Sequence, residues 1–421
     1  MEFKNVFVIL FIAGAALQFL LTHLLEFIDW KHRKVHGRKI PSELSGHIDQ
    51  ETLDKTCRYE DAKYCFWIPK NLLSFSLSLV LLFSGFYPFV FESLWNWCGR
   101  SFVTFFLFIL IASIPGVVLE IPFDLYKEFR LEKKFGFSTM TLKLWILDQI
   151  KGLLVSLAIS GALLFVLVFL VEHCPSWWWI LLASVYTVFS LVLSIIYPMF
   201  IAPLFNKFTP LEQGELRTRL ENLLSKCGFK SNGLFVMDAS KRSKHSNAYF
   251  TGFGKSKRVV LYDTLVAQLS PEEIESVLGH ELGHYKHHHI LKRMIIMIPA
   301  IFALLFAANL FINHVSLYSG FGFDVSQGVL PHMKPLGLFF LLMIFEGFTV
   351  LLSPVTNYFS RRDEFQADAF AKKVCGTGEH LSTALIKLNK ENLSEITPPK
   401  IYSLFYYSHP PLLERIRAVK D

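Results

Sequence analysis

Long apolar runs separated by short polar connections fill most of this chain, and one broad polar stretch interrupts them past the middle. Seven runs are long enough to cross a bilayer as helices, at approximately 6–28, 71–95, 101–122, 147–171, 177–199, 294–314 and 336–353. The first continues through Leu24 and Leu25 without a small-residue cleavage site, which predicts a retained signal anchor. Residues 200–293 read differently. A charged helix is expected from Glu212 to Cys227, with Leu216, Leu220, Leu223 and Leu224 in one stripe facing a core. Short strands are expected at Leu234–Met237, Asn247–Phe250 and Arg258–Tyr262, the last two joined by a turn at Gly252-Phe253-Gly254-Lys255. Another helix starts at Ser270, a natural N-cap, with Pro271 in its first turn and Glu273 completing a capping box. Its pattern permits a direct run through Met294 into the sixth span. Four units follow: 1–199 with five spans, 200–293 as a soluble core, 294–356 with two spans, and 357–421 as a tail that completes the core.

Composition supports a polytopic membrane protein. Of 421 residues 52% are hydrophobic and only 18% charged, and the mean hydropathy of +0.40 is far from a soluble average. Lysine and arginine concentrate in alternate connections, 29–70 and 127–143, while the intervening ones are nearly bare. That bias marks the cytosolic side, so 200–293 and the tail are expected in the cytosol and the N-terminus opposite. The net charge of +7 follows from these membrane-flanking loops, which argues against nucleic-acid binding. The six cysteines show no metal-type spacing and are expected as free thiols.

The chemistry concentrates in His280-Glu281-Leu282-Gly283-His284. On a helix, positions i and i+4 share a face, so His280 and His284 can hold one cation, with Glu281 placed to polarise a water. The competing reading is a polar helix with two satisfied histidines. A hydrolytic centre needs a third ligand, and Glu364, just past the seventh span, is the best candidate. Asp368, one turn on, is placed to accept from a ligand histidine. The alternative there is a solvated acidic face balancing Arg361 and Arg362. His287, His288 and His289 read as exposed surface histidines.

At these residues the chain resembles a known family, the type I CaaX prenyl proteases, which are integral-membrane zinc endopeptidases. The resemblance rests on Tyr197–Leu211, Gly254–Leu265, the His280 helix, Ser360–Ala371 and Tyr407–Arg415, in the family's order. It departs at Tyr285, Tyr406 and Pro399. The resemblance implies an all-α membrane protein of seven transmembrane helices forming a chamber, with a small α+β zinc metalloprotease domain of gluzincin type. It further implies one zinc ion per chain on His280, His284 and Glu364, with Glu281 as general base and Asp368 orienting a ligand histidine. His409 and Arg415 would stabilise an oxyanion, and Asn247, Ala248 and Tyr249 would form an edge strand that holds the substrate. Implied substrates are prenylated CaaX proteins or peptides delivered from the lipid bilayer and cut to release the last three residues, with a second upstream cut in some. The implied location is the endoplasmic reticulum membrane, and also the inner nuclear membrane, with the site toward the cytosol.

Two other readings stand beside it. One is a zinc protease for membrane-protein quality control that needs no lipid on its substrate. The other is a seven-span receptor or transporter in which Glu120 and Glu346 serve a path through the membrane. The sequence leaves the oligomeric state open.

Overall fold

The apolar runs become helices, seen in a computed structural model that describes residues 4–229, 233–251, 258–324 and 330–420. The N-terminal half contains α1 (Val6–His36), α2 (Gln50–Phe83), α3 (Phe86–Cys98), α4 (Phe102–Tyr126), α5 (Leu142–His173) and α6 (Trp178–Ile196). Six described helices are long and apolar enough to cross a membrane, and a bent pair makes a seventh candidate if its two halves form one span. That pair, Lys334–Glu346 and Thr349–Cys375, turns by 55° at its break. The expected second span, 71–95, is corrected. Ser84 ends α2, Gly85 takes φ +76°, and the apolar run continues as the separate helix α3.

One end of the bundle is plugged. Phe91, Phe108, Trp178, Phe321 and Phe340 pack there with the start of α1, where Trp178 Nε1 also donates to Asn309 Oδ1 at 2.7 Å. Away from the plug the walls are one helix thick: 6% to 28% of each spanning stretch is buried. The accessible surface is 21,920 Å². A compact monomer of this mass would expose roughly 16,500 Å². Both observations are those of spanning helices with lipid-facing surfaces, and they suit the chamber that the resemblance implies. All six cysteines are free.

The polar stretch folds as an α+β unit across the other end. β1 (Phe208–Pro210), β2 (Leu234–Met237), β3 (Ala248–Thr251) and β4 (Arg258–Tyr262) form one sheet in the order β1-β2-β4-β3. β2 and β4 run parallel, and β3 is antiparallel to β4, at the sheet edge. β1 carries no alternation in three residues and was not foreseen. The expected Gly252–Lys255 turn lies outside the described residues. Against the sheet lie α7 (Glu215–Lys226) and α8 (Pro271–Lys286), with Leu220, Leu223, Leu224, Leu278 and Leu282 in a shared core. The chain then enters α9 (His289–Phe311), α10 (Lys334–Glu346) and α11 (Ser353–Cys375). It ends in α12 (Glu379–Glu391), α13 (Lys400–Tyr406) and α14 (Leu412–Lys420).

Candidate metal centre

The site begins with a well-made helix start. Ser270 Oγ accepts from Glu273 N, and the Glu273 carboxylate accepts from Ser270 N at 2.8 Å, so both halves of the capping box form. One face of α8 then lies directly on α11. The approach depends on Gly283, where an added Cβ would sit 2.7 Å from Ala367 Cα, and on Gly279 opposite Ala371. With no side chain between the helices, a ligand on α11 can reach those on α8.

The ligand does so. One donor atom each from His280, His284 and Glu364 lie within 4.8 Å of one another. His280 Nε2 is 3.2 Å from His284 Nε2, while the Glu364 oxygens stand 3.3 Å from His280 Nε2 and 3.2 Å from His284 Nε2. Two donors at about 2.0–2.1 Å from one tetrahedral ion would lie roughly 3.3 Å apart. Glu364 is 3% exposed, and its Oε2 is buried without a hydrogen-bond partner among the described residues. A buried carboxylate whose two oxygens each face an imidazole nitrogen, one of those oxygens without a hydrogen bond, is costly unless a cation completes it. The residues therefore fit a metal ion.

His280 is fixed from behind. Its Nδ1 is 2.7 Å from Asp368 Oδ1, and Asp368 is gripped by both arms of Arg415, at 2.6 and 2.8 Å. Burial disfavours a charge on His280, yet the close approach of the Asp368 and Glu364 carboxylates outweighs that and lifts it to about 9. A cation binding at Nε2 must displace that proton. Burial pushes the Glu281 carboxyl above the ordinary carboxylate range. It accepts no hydrogen bond among the described residues, which leaves it free to take a proton.

The placement of Arg415 is a correction. Expected beside His409 at a developing oxyanion, it is instead 9% exposed and committed to Asp368. His409 does face the centre, with Nε2 3.5 Å from Glu364 Oε1 and a side chain 63% exposed. A second correction concerns the continuity of α8. The helix stops at Lys286 and α9 starts at His289, with His288 between them at φ 55°. A third concerns His289, which is 1% exposed rather than on the surface, with Nδ1 2.9 Å from His284 Nδ1. Ala248 and Tyr249 lie in the edge strand β3, where Tyr249 pairs with Val260 of β4, and Asn247 stands just before it, its Oδ1 accepting from Ala248 N at 2.8 Å.

Sequence reasoning also missed the fastenings of the tail. Arg361 donates to the carbonyls of Ser403 and Tyr407, and Asn357 donates to that of Phe405, which draws the His409 segment against α11. Arginine and asparagine on a polar helix face give no hint of such partners. Of the embedded acids weighed for transport, Glu120 is taken up by Lys70 at 2.7 Å.

Comparison with known proteins meets this geometry. Residues 29–207 match the family description "CAAX prenyl protease N-terminal, five membrane helices", and residues 210–421 match "Peptidase family M48". The chain is 35% identical to CAAX prenyl protease 1 of Saccharomyces cerevisiae, over 92% of this chain and 90% of that one. It is 34% identical to the human CAAX prenyl protease 1 homolog, over 97% and 95% of the respective lengths. The crystal structure of S. mikatae Ste24p superposes with a TM-score of 0.91 at 34% identity, over 99% of both chains.

Proposed function

The chain belongs to peptidase family M48, in the branch that carries a CAAX prenyl protease N-terminal region, and from that premise we propose a zinc endopeptidase of prenylated proteins. The substrate is a C-terminal CaaX segment bearing a prenyl cysteine, and the product lacks its last three residues. A second, upstream cut in the same substrate belongs to this reading. The observation that carries it is the convergence of His280, His284 and Glu364 beside Glu281, whose carboxyl is pushed above the ordinary range by burial and accepts no hydrogen bond among the described residues.

Each group then has a task. His280, His284 and Glu364 would hold the zinc ion, which when bound would supply Lewis acidity and lower the pKa of water. Glu281 takes the proton of the attacking water and passes it to the leaving amine. His409, open to the hollow, donates to the oxygen of the scissile carbonyl as charge develops there. Asp368, held by Arg415, keeps His280 in the tautomer that presents Nε2 to the ion. The outer edge of β3 at Ala248 and Tyr249, with Asn247 just before it, pairs with an extended peptide. The apolar wall of the hollow accommodates the prenyl chain, whose weak bilayer affinity lets the substrate arrive laterally. The proposed location is the endoplasmic reticulum membrane, and the charge bias of the loops supports an orientation with the site toward the cytosol.

The test is a matched pair of peptides, one farnesylated CaaX peptide and the same peptide without lipid, with products identified by mass. Wild-type protein should release the terminal tripeptide from the farnesylated peptide alone. Glu281→Gln should retain its metal and release nothing. Equal rates on both peptides would favour a lipid-independent quality-control protease, and turnover by Glu281→Gln would remove the general-base assignment.

A further inference from the structure

His280 and His284 are both poised as ligands, yet only His280 has a carboxylate behind it. Asp368 meets His280 Nδ1 at 2.7 Å. Behind His284 stands another imidazole: His289 Nδ1, at 2.9 Å from His284 Nδ1. This contact is not what helix geometry would give. At 100° per residue, a continuous helix would turn position 289 about 140° away from position 284. The break prevents that. His288 takes the left-handed conformation at φ 55°, which is unfavourable for a side chain larger than glycine's. Its effect is to fold the start of α9 back, so that His289 sits under His284 with a side chain only 2% exposed.

The far side of the His289 ring decides where its proton is. Nε2 lies 3.1 Å from Gln366 Oε1 and 3.6 Å from Asp363 Oδ1, both on α11. Facing two oxygen acceptors, Nε2 carries the hydrogen, and Nδ1 of the neutral ring is left with a lone pair. His284 must then carry its own hydrogen on Nδ1 and donate it to His289. That leaves the His284 Nε2 lone pair directed at His280 and Glu364, which is the tautomer a metal ligand requires.

We infer that His289 is a positioning residue for the second metal ligand: it accepts the Nδ1 hydrogen of His284 and is itself anchored through Nε2 to Gln366 and Asp363. The inference rests on the metal centre proposed above. The two ligand histidines are thus oriented by different devices, an arginine-held carboxylate for His280 and a histidine relay for His284. Both devices draw on α11, which also supplies Glu364, so one helix sets all three donors. A direct ligand role for His289 is excluded by its position on the Nδ1 side of His284, away from Glu364.

The experiment is a Co2+ titration of full-length, chelator-stripped protein in detergent, followed by visible absorption, with thermal unfolding of the metal-free form alongside. His289→Phe keeps a ring and removes the acceptor. It should bind Co2+ 10- to 100-fold more weakly, the usual loss when a partner behind a ligand is removed, while its metal-free unfolding midpoint stays at the wild-type value. His289→Asn puts an amide oxygen near the place of Nδ1 and should recover most of the affinity. Wild-type affinity in His289→Phe would overturn the inference, as would an absence of rescue in His289→Asn. If His289→Phe does not fold, the double variant Asp363→Leu and Gln366→Leu keeps both histidines and frees the His289 tautomer. It should weaken Co2+ binding and shift the absorption bands, and an unchanged spectrum and affinity would again overturn the inference. A wild-type protein that binds no Co2+ would instead sink the metal centre itself.

Discussion

At the scale of single residues, what the sequence made legible was the set of groups whose spacing is dictated by chemistry. His280, Glu281 and His284 followed from one helical turn, and Glu364 and Asp368 from another. Arg415 was misplaced because a cation in a tail motif has no spacing relation to its partner 47 residues away. Its role is now set by burial. Removing it would leave Asp368 charged in a site 1% exposed, and losing one partner of a buried pair costs about 3–5 kcal/mol. Arg415→Ala should therefore lower stability by an amount of that order in denaturant unfolding, and weaken metal binding with it. An oxyanion role would predict the opposite split, with slowed turnover at unchanged stability and metal content. His289 was illegible for a related reason. Three successive histidines read as surface, and the left-handed His288 that turns the third one inward leaves no periodic signal.

At the scale of elements, amphipathic periodicity and capping chemistry were reliable guides. The Ser270 cap, the α7 stripe and the three foreseen strands lie within a few residues of where the pattern put them. The misses occur where an apolar run contains a bend. A run cannot reveal that Gly85 divides it, and β1 is too short for alternation to develop. The decisive contact, α8 on α11, is set by small residues. Gly283→Ala is a favourable change for an isolated helix, by about 1 kcal/mol. Here the new Cβ would lie 2.7 Å from the Ala367 backbone, and overpacking of that kind costs about 1–3 kcal/mol. The clash should win: the variant should unfold at lower temperature and bind metal more weakly, because the helices carrying the three donors are pushed apart. A variant more stable than wild type would show that the interface has slack.

At the scale of the whole molecule, the protease unit is fastened to the membrane helices. Arg242 binds Asp148 on α5 through both arms, at 2.8 and 3.0 Å. His245, just before β3, stacks on Phe137 at 4.1 Å and lies 3.6 Å from Glu132 beyond α4 and 2.9 Å from Asn392 before α13. One ring thus ties the substrate-edge strand to the wall of the hollow and to the tail. The bond to Glu132 raises the pKa of His245 above its ordinary value, burial opposing, with Asn392 adding to the rise. A raised folded-state pKa means that the protonated ring stabilises the fold. That contribution is complete below the unfolded value of about 6.5 and is lost as pH rises through the higher folded one. Wild-type stability should therefore decline across that window, and His245→Asn should remove that component of the decline. Identical pH profiles would show that the pair contributes nothing. Hydropathy marks the spanning helices but not these fastenings, which join residues about a hundred positions or more apart.

The central claim is a single metal ion shared by two faces that only the folded chain brings together. Anomalous diffraction from crystals of the purified protein, recorded on either side of the zinc edge, measures this most directly. The account predicts one peak per chain, about 2.0–2.1 Å from His280 Nε2, His284 Nε2 and a Glu364 oxygen. Absence of that peak in protein that cleaves a farnesylated CaaX peptide, or a peak held by other residues, would contradict it.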